Sequence, residues 1–183
     1  MSNVFSGSRR AVLALCVTLA WAVACVACEG KRPDGGVGVL PAGTVAPDFA
    51  AHDATGKLVR FSEFAGQERV VYFYPKDETP GCTKEACAFR DAFDKYKERG
   101  VVLFGVSRDS EESHKKFREH HSLPFALAAD ESGDVQKAYG VPSKMGVLAS
   151  RMTFLVGKDG KVERVWENVD PGVHAAEVLA AVR

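Results

Sequence analysis

The chain has 183 residues, 46% of them hydrophobic, which suits one domain of ordinary size with a buried core. Its 24 basic and 24 acidic residues cancel to a formal net charge of zero. That balance argues against a nucleic-acid partner held through phosphate contacts.

Arg9 and Arg10 precede an apolar run over residues 11–27, broken only by Thr18. A basic start, an apolar core and small residues at the end predict an export signal. Ala22-Val23-Ala24 suits a small-x-small cleavage site, while Cys25 and Cys28 each follow small residues, as in bacterial lipoprotein processing. The run of 17 residues is also just long enough for a retained anchor. The preferred order is lipoprotein, then soluble export, then anchor. The expectation is therefore an exported bacterial protein, periplasmic or membrane-anchored, with residues 1–28 as signal or anchor and an N-terminal membrane tether as one option. Residues 29–46 hold Gly30, Pro33, Gly35, Gly36, Gly38, Pro41 and Gly43, and are expected as a flexible linker. The domain proper is expected over residues 47–183.

Within that domain, β and α patterns alternate. Residues 49–53 and 58–61 flank Ala54-Thr55-Gly56-Lys57 and predict a hairpin. Residues 69–74 form an apolar core strand. Residues 82–99 predict a long helix ended by Gly100, followed by a buried strand over 101–106. A helix is expected over 110–121, a strand over 125–128, and a short helix over 132–139 ended by Gly140. Residues 153–156 and 161–166 predict a second hairpin across Gly157-Lys158-Asp159-Gly160, and residues 173–182 a last helix. This alternation indicates an α/β sheet with helices on both faces.

The chemistry concentrates at the end of the core strand, in Pro75-Lys76-Asp77-Glu78-Thr79-Pro80-Gly81-Cys82. Cys82 falls in the first turn of the long helix. Helix N-terminal N–H groups and the macrodipole favour a thiolate, the reactive form of cysteine. The helix carries an apolar stripe of Ala86, Phe89, Phe93 and Tyr96, and counting back four from Ala86 puts Cys82 on the same face. Cys87 lies about 140° further round and about 8.6 Å away by Cα in ideal geometry. A disulfide needs Cα atoms within about 7 Å. If the two cysteines react with each other, the first turns of the helix must unwind. The plainer alternative is a pair of buried structural thiols. It fits Cys87 as well as a redox role does. It fits Cys82 poorly, because a strand end, a Pro-Gly pair and a helix start all converge there.

Pro75-x-x-x-Thr79-x-x-Cys82 resembles the peroxiredoxin signature. The longer string Thr79-Pro80-Gly81-Cys82-Thr83-x-Glu85-Ala86-Cys87-x-Phe89-Arg90-Asp91 is similar to the subgroup called PrxQ or bacterioferritin comigratory protein, within the AhpC/TSA superfamily. The likeness covers residues 42 to 183 and includes Arg151-Met152-Thr153-Phe154-Leu155. It implies a thioredoxin-like fold: a central mixed β-sheet flanked by helices, with an N-terminal β-hairpin. It implies a thiol-dependent peroxidase without metal or organic cofactor. Cys82 would attack hydrogen peroxide or an organic hydroperoxide and become a sulfenic acid. Cys87 would resolve it as an intramolecular disulfide, and an external dithiol such as a thioredoxin would reduce that bond. Thr79 would offer its hydroxyl to the thiolate and peroxide, Pro75 would shield the sulfur from water, and Arg151 would set a fixed cation beside it. The subgroup includes monomers, and a monomer is expected here.

Each residue also has a plainer reading. Pro75 could simply end the strand, Thr79 could be a turn residue, and Arg151 could be solvated or salt-bridged. Glu85 reads as a capping acid in the first turn and stands outside the expected site. His114, His120 and His121 lack an obvious further ligand and read as a solvated helix face, so no metal site is expected. Two other functions compete with the peroxidase. A thiol–disulfide oxidoreductase acting on protein partners normally uses Cys-x-x-Cys, whereas four residues separate Cys82 from Cys87. A redox sensor would be oxidised once and stop.

Overall fold

The structure, a computed structural model, describes residues 31–146 and 148–183. The expected signal or anchor over residues 1–28 lies outside them. Among the described residues, nine strands and five α-helices follow in chain order. They are β1 (Ala50–His52), β2 (Leu58–Arg60), β3 (Arg69–Phe73), α1 (Pro80–Asp91), α2 (Phe93–Glu98), β4 (Val102–Ser107) and α3 (Glu111–His121). Then come β5 (Ala126–Ala129), α4 (Asp134–Ala138), β6 (Ser143–Lys144), β7 (Leu148–Ala149), β8 (Met152–Val156), β9 (Val162–Trp166) and α5 (His174–Ala181).

Seven strands form one sheet in the order β2-β1-β5-β4-β3-β8-β9. Its centre is parallel, β3 with β4 and β4 with β5, and its flanks are antiparallel. This is the expected thioredoxin-like arrangement, with the N-terminal hairpin β1–β2 at one edge.

The central strand β3 is buried at every residue, as a strand covered on both faces must be. Alternate residues serve opposite cores. Val71 and Phe73 pack with Phe49, Phe104, Tyr139 and Phe154 on one face. Val70 and Tyr72 pack with Cys82, Phe89, Tyr96, Phe117 and Val178 on the other. The second face is therefore the one covered by α1, α2, α3 and α5. Gly105 on β4 makes room there, since a Cβ at that position would stand 2.8 Å from the Tyr72 ring.

Several boundaries differ from expectation. The long helix begins at Pro80 and divides at Ala92, whose N–H still reaches Ala88 O at 3.2 Å while Lys95 N–H closes a tighter turn onto Ala92 O at 3.1 Å. The two segments therefore follow directly on one another through Ala92. Residues 61–64 form a 3-10 turn, and the small hairpin β6–β7 had no counterpart in the pattern. Its two-residue strands are too short for alternation to register.

The stretch expected as a loose linker folds back on itself from residue 31 and is bound to the domain from Leu40 onward. Arg32 Nη1 donates to Gly38 O at 2.9 Å and to Val39 O at 3.1 Å. Leu40 is buried in the first core, and its N–H donates to Tyr139 O at 3.0 Å. Gly43 N–H and Ala46 N–H reach Val162 O and Gly160 O at 2.8 and 2.9 Å. Gly140, at φ 66°, has no side chain to collide with Gly38 O, which is what lets the strap lie flat.

Candidate active site

β3 delivers the chain to the site. After Tyr74 the backbone turns through Pro75–Thr79 and enters α1 at Pro80, a residue suited to the first helical position because its missing N–H is unneeded there. The turn is held by Asp77. Its buried carboxylate accepts from Tyr74 Oη at 2.8 Å, from Ser113 Oγ at 2.7 Å and from His114 Nδ1 at 2.9 Å. Asp77 N–H donates to Asp109 Oδ2 at 2.9 Å. Burial alone pushes the Asp77 carboxyl up, but the His114 hydrogen bond and charge, with Ser113 and Tyr74, outweigh it and hold the group below the usual carboxylate range.

His114 is thus a buried residue, not part of a solvated face. Its Nε2 faces Ala128 O at 3.1 Å, so both ring nitrogens have acceptors. His114, Phe117 and His121 are spaced three and four apart, and Phe117 was the signal that this face points inward.

Cys82 sits in the first turn of α1 and is 2% exposed. Ala86, Phe89 and Tyr96 are buried on the same stripe, as their spacing predicts, and Phe93 is half-buried. Arg151, immediately before β8, brings Nη2 to 3.3 Å from Cys82 Sγ. The antiparallel register that pairs Phe73 with Met152 is what delivers the guanidinium there. Its Nη1 binds Glu85 Oε2.

Glu85, which the sequence places outside the expected site, stands against Arg151 beside Cys82. Because the helix starts at Pro80, Glu85 lies in the second turn and does not cap. It is 0% exposed, three residues from Cys82 on the same stripe. That spacing was the available signal. Burial pushes its carboxyl up to about 7, against the opposing charge and hydrogen bond of Arg151. Burial disfavours the Arg151 cation, but Glu85 and Cys82 outweigh this and raise its pKa further.

Thr79 occupies the position before the helix, yet its hydroxyl does not cap it. Oγ1 donates to Lys76 O at 2.9 Å, which leaves its lone pairs free. Pro75 is half-buried at the end of β3. Cys87 is half-buried on α1, and both it and Cys82 are free thiols within one helix. The geometry therefore gathers Cys82, Arg151 and Glu85, with Thr79 and Pro75 on the adjoining turn and Cys87 apart.

A thioredoxin-like sheet presenting a buried cysteine at a helix start, against a fixed guanidinium, defines a cysteine-based redox protein. The chain belongs to the AhpC/TSA family, whose model matches residues 42–165. It is 48% identical over 139 residues to the chloroplastic peroxiredoxin Q of Sedum lineare, covering 75% of each chain. It is 44% identical over 144 residues to chloroplastic peroxiredoxin Q of Oryza sativa subsp. japonica, covering 78% of this chain and 66% of that protein's length. Among solved structures it is similar to a Xanthomonas campestris bacterioferritin comigratory protein described for alkyl peroxide reduction. That match has a TM-score of 0.69 and 34% identity, covering 80% of this chain and 96% of the other. The expected PrxQ resemblance is thereby confirmed.

The expected location is not. These curated relatives are chloroplastic, which overturns the reading of an exported bacterial protein, periplasmic or membrane-anchored through Cys25 or Cys28. Among the described residues no helix is long and apolar enough to cross a membrane. The physical reason is that a basic-then-apolar leader specifies charge and hydropathy, not a destination.

Proposed function

We infer that the protein is a thiol-dependent peroxidase acting on hydrogen peroxide and organic hydroperoxides, with Cys82 as the attacking sulfur. The observation that carries this is Arg151 Nη2 at 3.3 Å from Cys82 Sγ, at the start of a helix. A cation and helix N–H groups favour negative charge on sulfur and on the peroxide oxygens. The Cys82 thiolate attacks the distal peroxide oxygen, the O–O bond breaks, and water or an alcohol leaves after taking a proton. The product is a Cys82 sulfenic acid. The Cys87 thiolate then attacks that sulfur, expels hydroxide, which becomes water, and leaves a Cys82–Cys87 disulfide. A dithiol of the thioredoxin kind restores both thiols by exchange.

Thr79 orients the peroxide through its free lone pairs, Pro75 shields the sulfur, and Arg151 holds the charge. An intramolecular bridge needs no second copy, so a monomer suffices for the cycle. Disulfide exchange with protein partners is the weaker reading, since nothing in it uses Arg151 or Thr79.

Steady-state peroxide consumption with a thioredoxin system tests the assignment. C82S is expected to lose activity to background. C87S is expected to keep the first oxidation but stall as sulfenic acid or overoxidise. Retained turnover in C82S would remove Cys82 from the reaction.

A further inference from the structure

α3 ends on two adjacent histidines whose rings stand 4.3 Å apart, centroid to centroid. Glu78, from the turn before α1, reaches across to both. Its Oε1 lies 3.1 Å from His120 Nδ1 and its Oε2 lies 3.0 Å from His121 Nε2. One ligand atom from each of the three residues falls within 4.8 Å of the others. The sequence reading found no further ligand for these histidines because Glu78 is 42 residues from His120 and joins it only through the fold.

Two imidazoles and one carboxylate are a donor set that zinc uses in open sites, with water completing the shell. Ligand distances of about 2.0–2.2 Å put two donors of one tetrahedral ion about 3.3 Å apart. The 3.1 Å from His120 Nδ1 to Glu78 Oε1 and the 3.0 Å from His121 Nε2 to Glu78 Oε2 are hydrogen bonds to the two carboxylate oxygens, so a cation would take the place of the shared protons and draw together donor atoms that already lie within 4.8 Å of one another. The ring of His120 is exposed and free to adjust, whereas His121 is fixed edge-on against Phe117 with centroids 5.1 Å apart. Arg90 Nη1 donates to His121 O at 2.8 Å, which joins α1 to the same corner.

We propose that Glu78, His120 and His121 bind a zinc-class divalent cation that ties the turn ahead of α1 to the end of α3. Glu78 lies two residues before the first residue of α1. A cation there resists movement of the turn and of the helix start. Resting on the peroxidase reading, the consequence is a slower Cys82–Cys87 bond with unchanged peroxide attack.

The test is zinc titration of the full-length chain with Cys16, Cys25, Cys28, Cys82 and Cys87 all replaced by serine, against a chromogenic chelator. The expected result is one zinc per chain. E78Q and H120N, both at exposed positions, are each expected to weaken it by about tenfold or more. No binding, or equal binding in both variants, would overturn the site. This titration uses no peroxidase chemistry, so failure of that reading leaves it intact. In the cysteine-containing chain, zinc is expected to slow disulfide formation after a peroxide pulse, and not to do so in E78Q. Equal slowing in both, or none in either, would overturn the tie between cation and turn.

Discussion

Beside Cys82, Glu85 and Arg151 pull in opposite directions. A protonated Glu85 leaves the guanidinium charge to the sulfur, and an ionised Glu85 competes for it. With its carboxyl raised to about 7, Glu85 changes state near neutral pH. The rate of peroxide attack by the wild-type protein is therefore expected to carry an inflection near pH 7 that E85Q lacks, measured by stopped-flow. The same shift has a stability sign. A carboxyl whose folded value of about 7 lies above its ordinary 4.5 contributes stability that is complete below the ordinary value and lost as pH rises through 7. The melting temperature of E85Q is expected to fall less than that of the wild type as pH rises through this range.

At the scale of elements, α1 must be stable enough to hold the site and weak enough to open. Gly81 lies in its first turn, and a Cβ there would stand 3.4 Å from Arg151 Nη2, an ordinary contact. G81A is expected to stabilise the helix by about 0.5–1 kcal/mol. It should slow disulfide formation roughly two- to fivefold, with little change in the attack step, when the two phases are separated by rapid mixing. The turn before α1 depends on Asp77. D77N leaves Tyr74, Ser113 and His114 without a carboxylate and is expected to cost roughly 2–3 kcal/mol in urea unfolding. Because the Asp77 carboxyl is held below 3.8, its contribution is present above that value and lost as pH falls through the folded one. The stripe from Cys82 to Tyr96 was legible because a helix repeats every three to four residues. Glu85 lies on that stripe, but the local pattern starts the helix at 82, two residues late, and so makes Glu85 a first-turn acid. The contacts of Asp77 with His114 and Glu78 with His121 span 37 and 43 residues, and no local pattern encodes them.

Across the whole molecule, strand and helix order was readable in the chain, while the sheet order came into view only with the pairing of β3 between β4 and β8. That pairing is what carries Arg151 to Cys82. The glycines and prolines of residues 29–46 predict a loose tether, since a single apolar residue such as Leu40 makes no periodic signal. L40A is expected to cost about 2–4 kcal/mol in denaturant unfolding, as a buried side chain in the core and not a tether residue. The central claim is that the two cysteines of one helix form a bond that requires the helix to open. Intact mass with peptide mapping, after one equivalent of hydrogen peroxide is added to the reduced protein, tests it most directly. The account predicts a loss of two hydrogens mapped to a Cys82–Cys87 bond. A lasting gain of one oxygen on Cys82, or no change at Cys82, would contradict it.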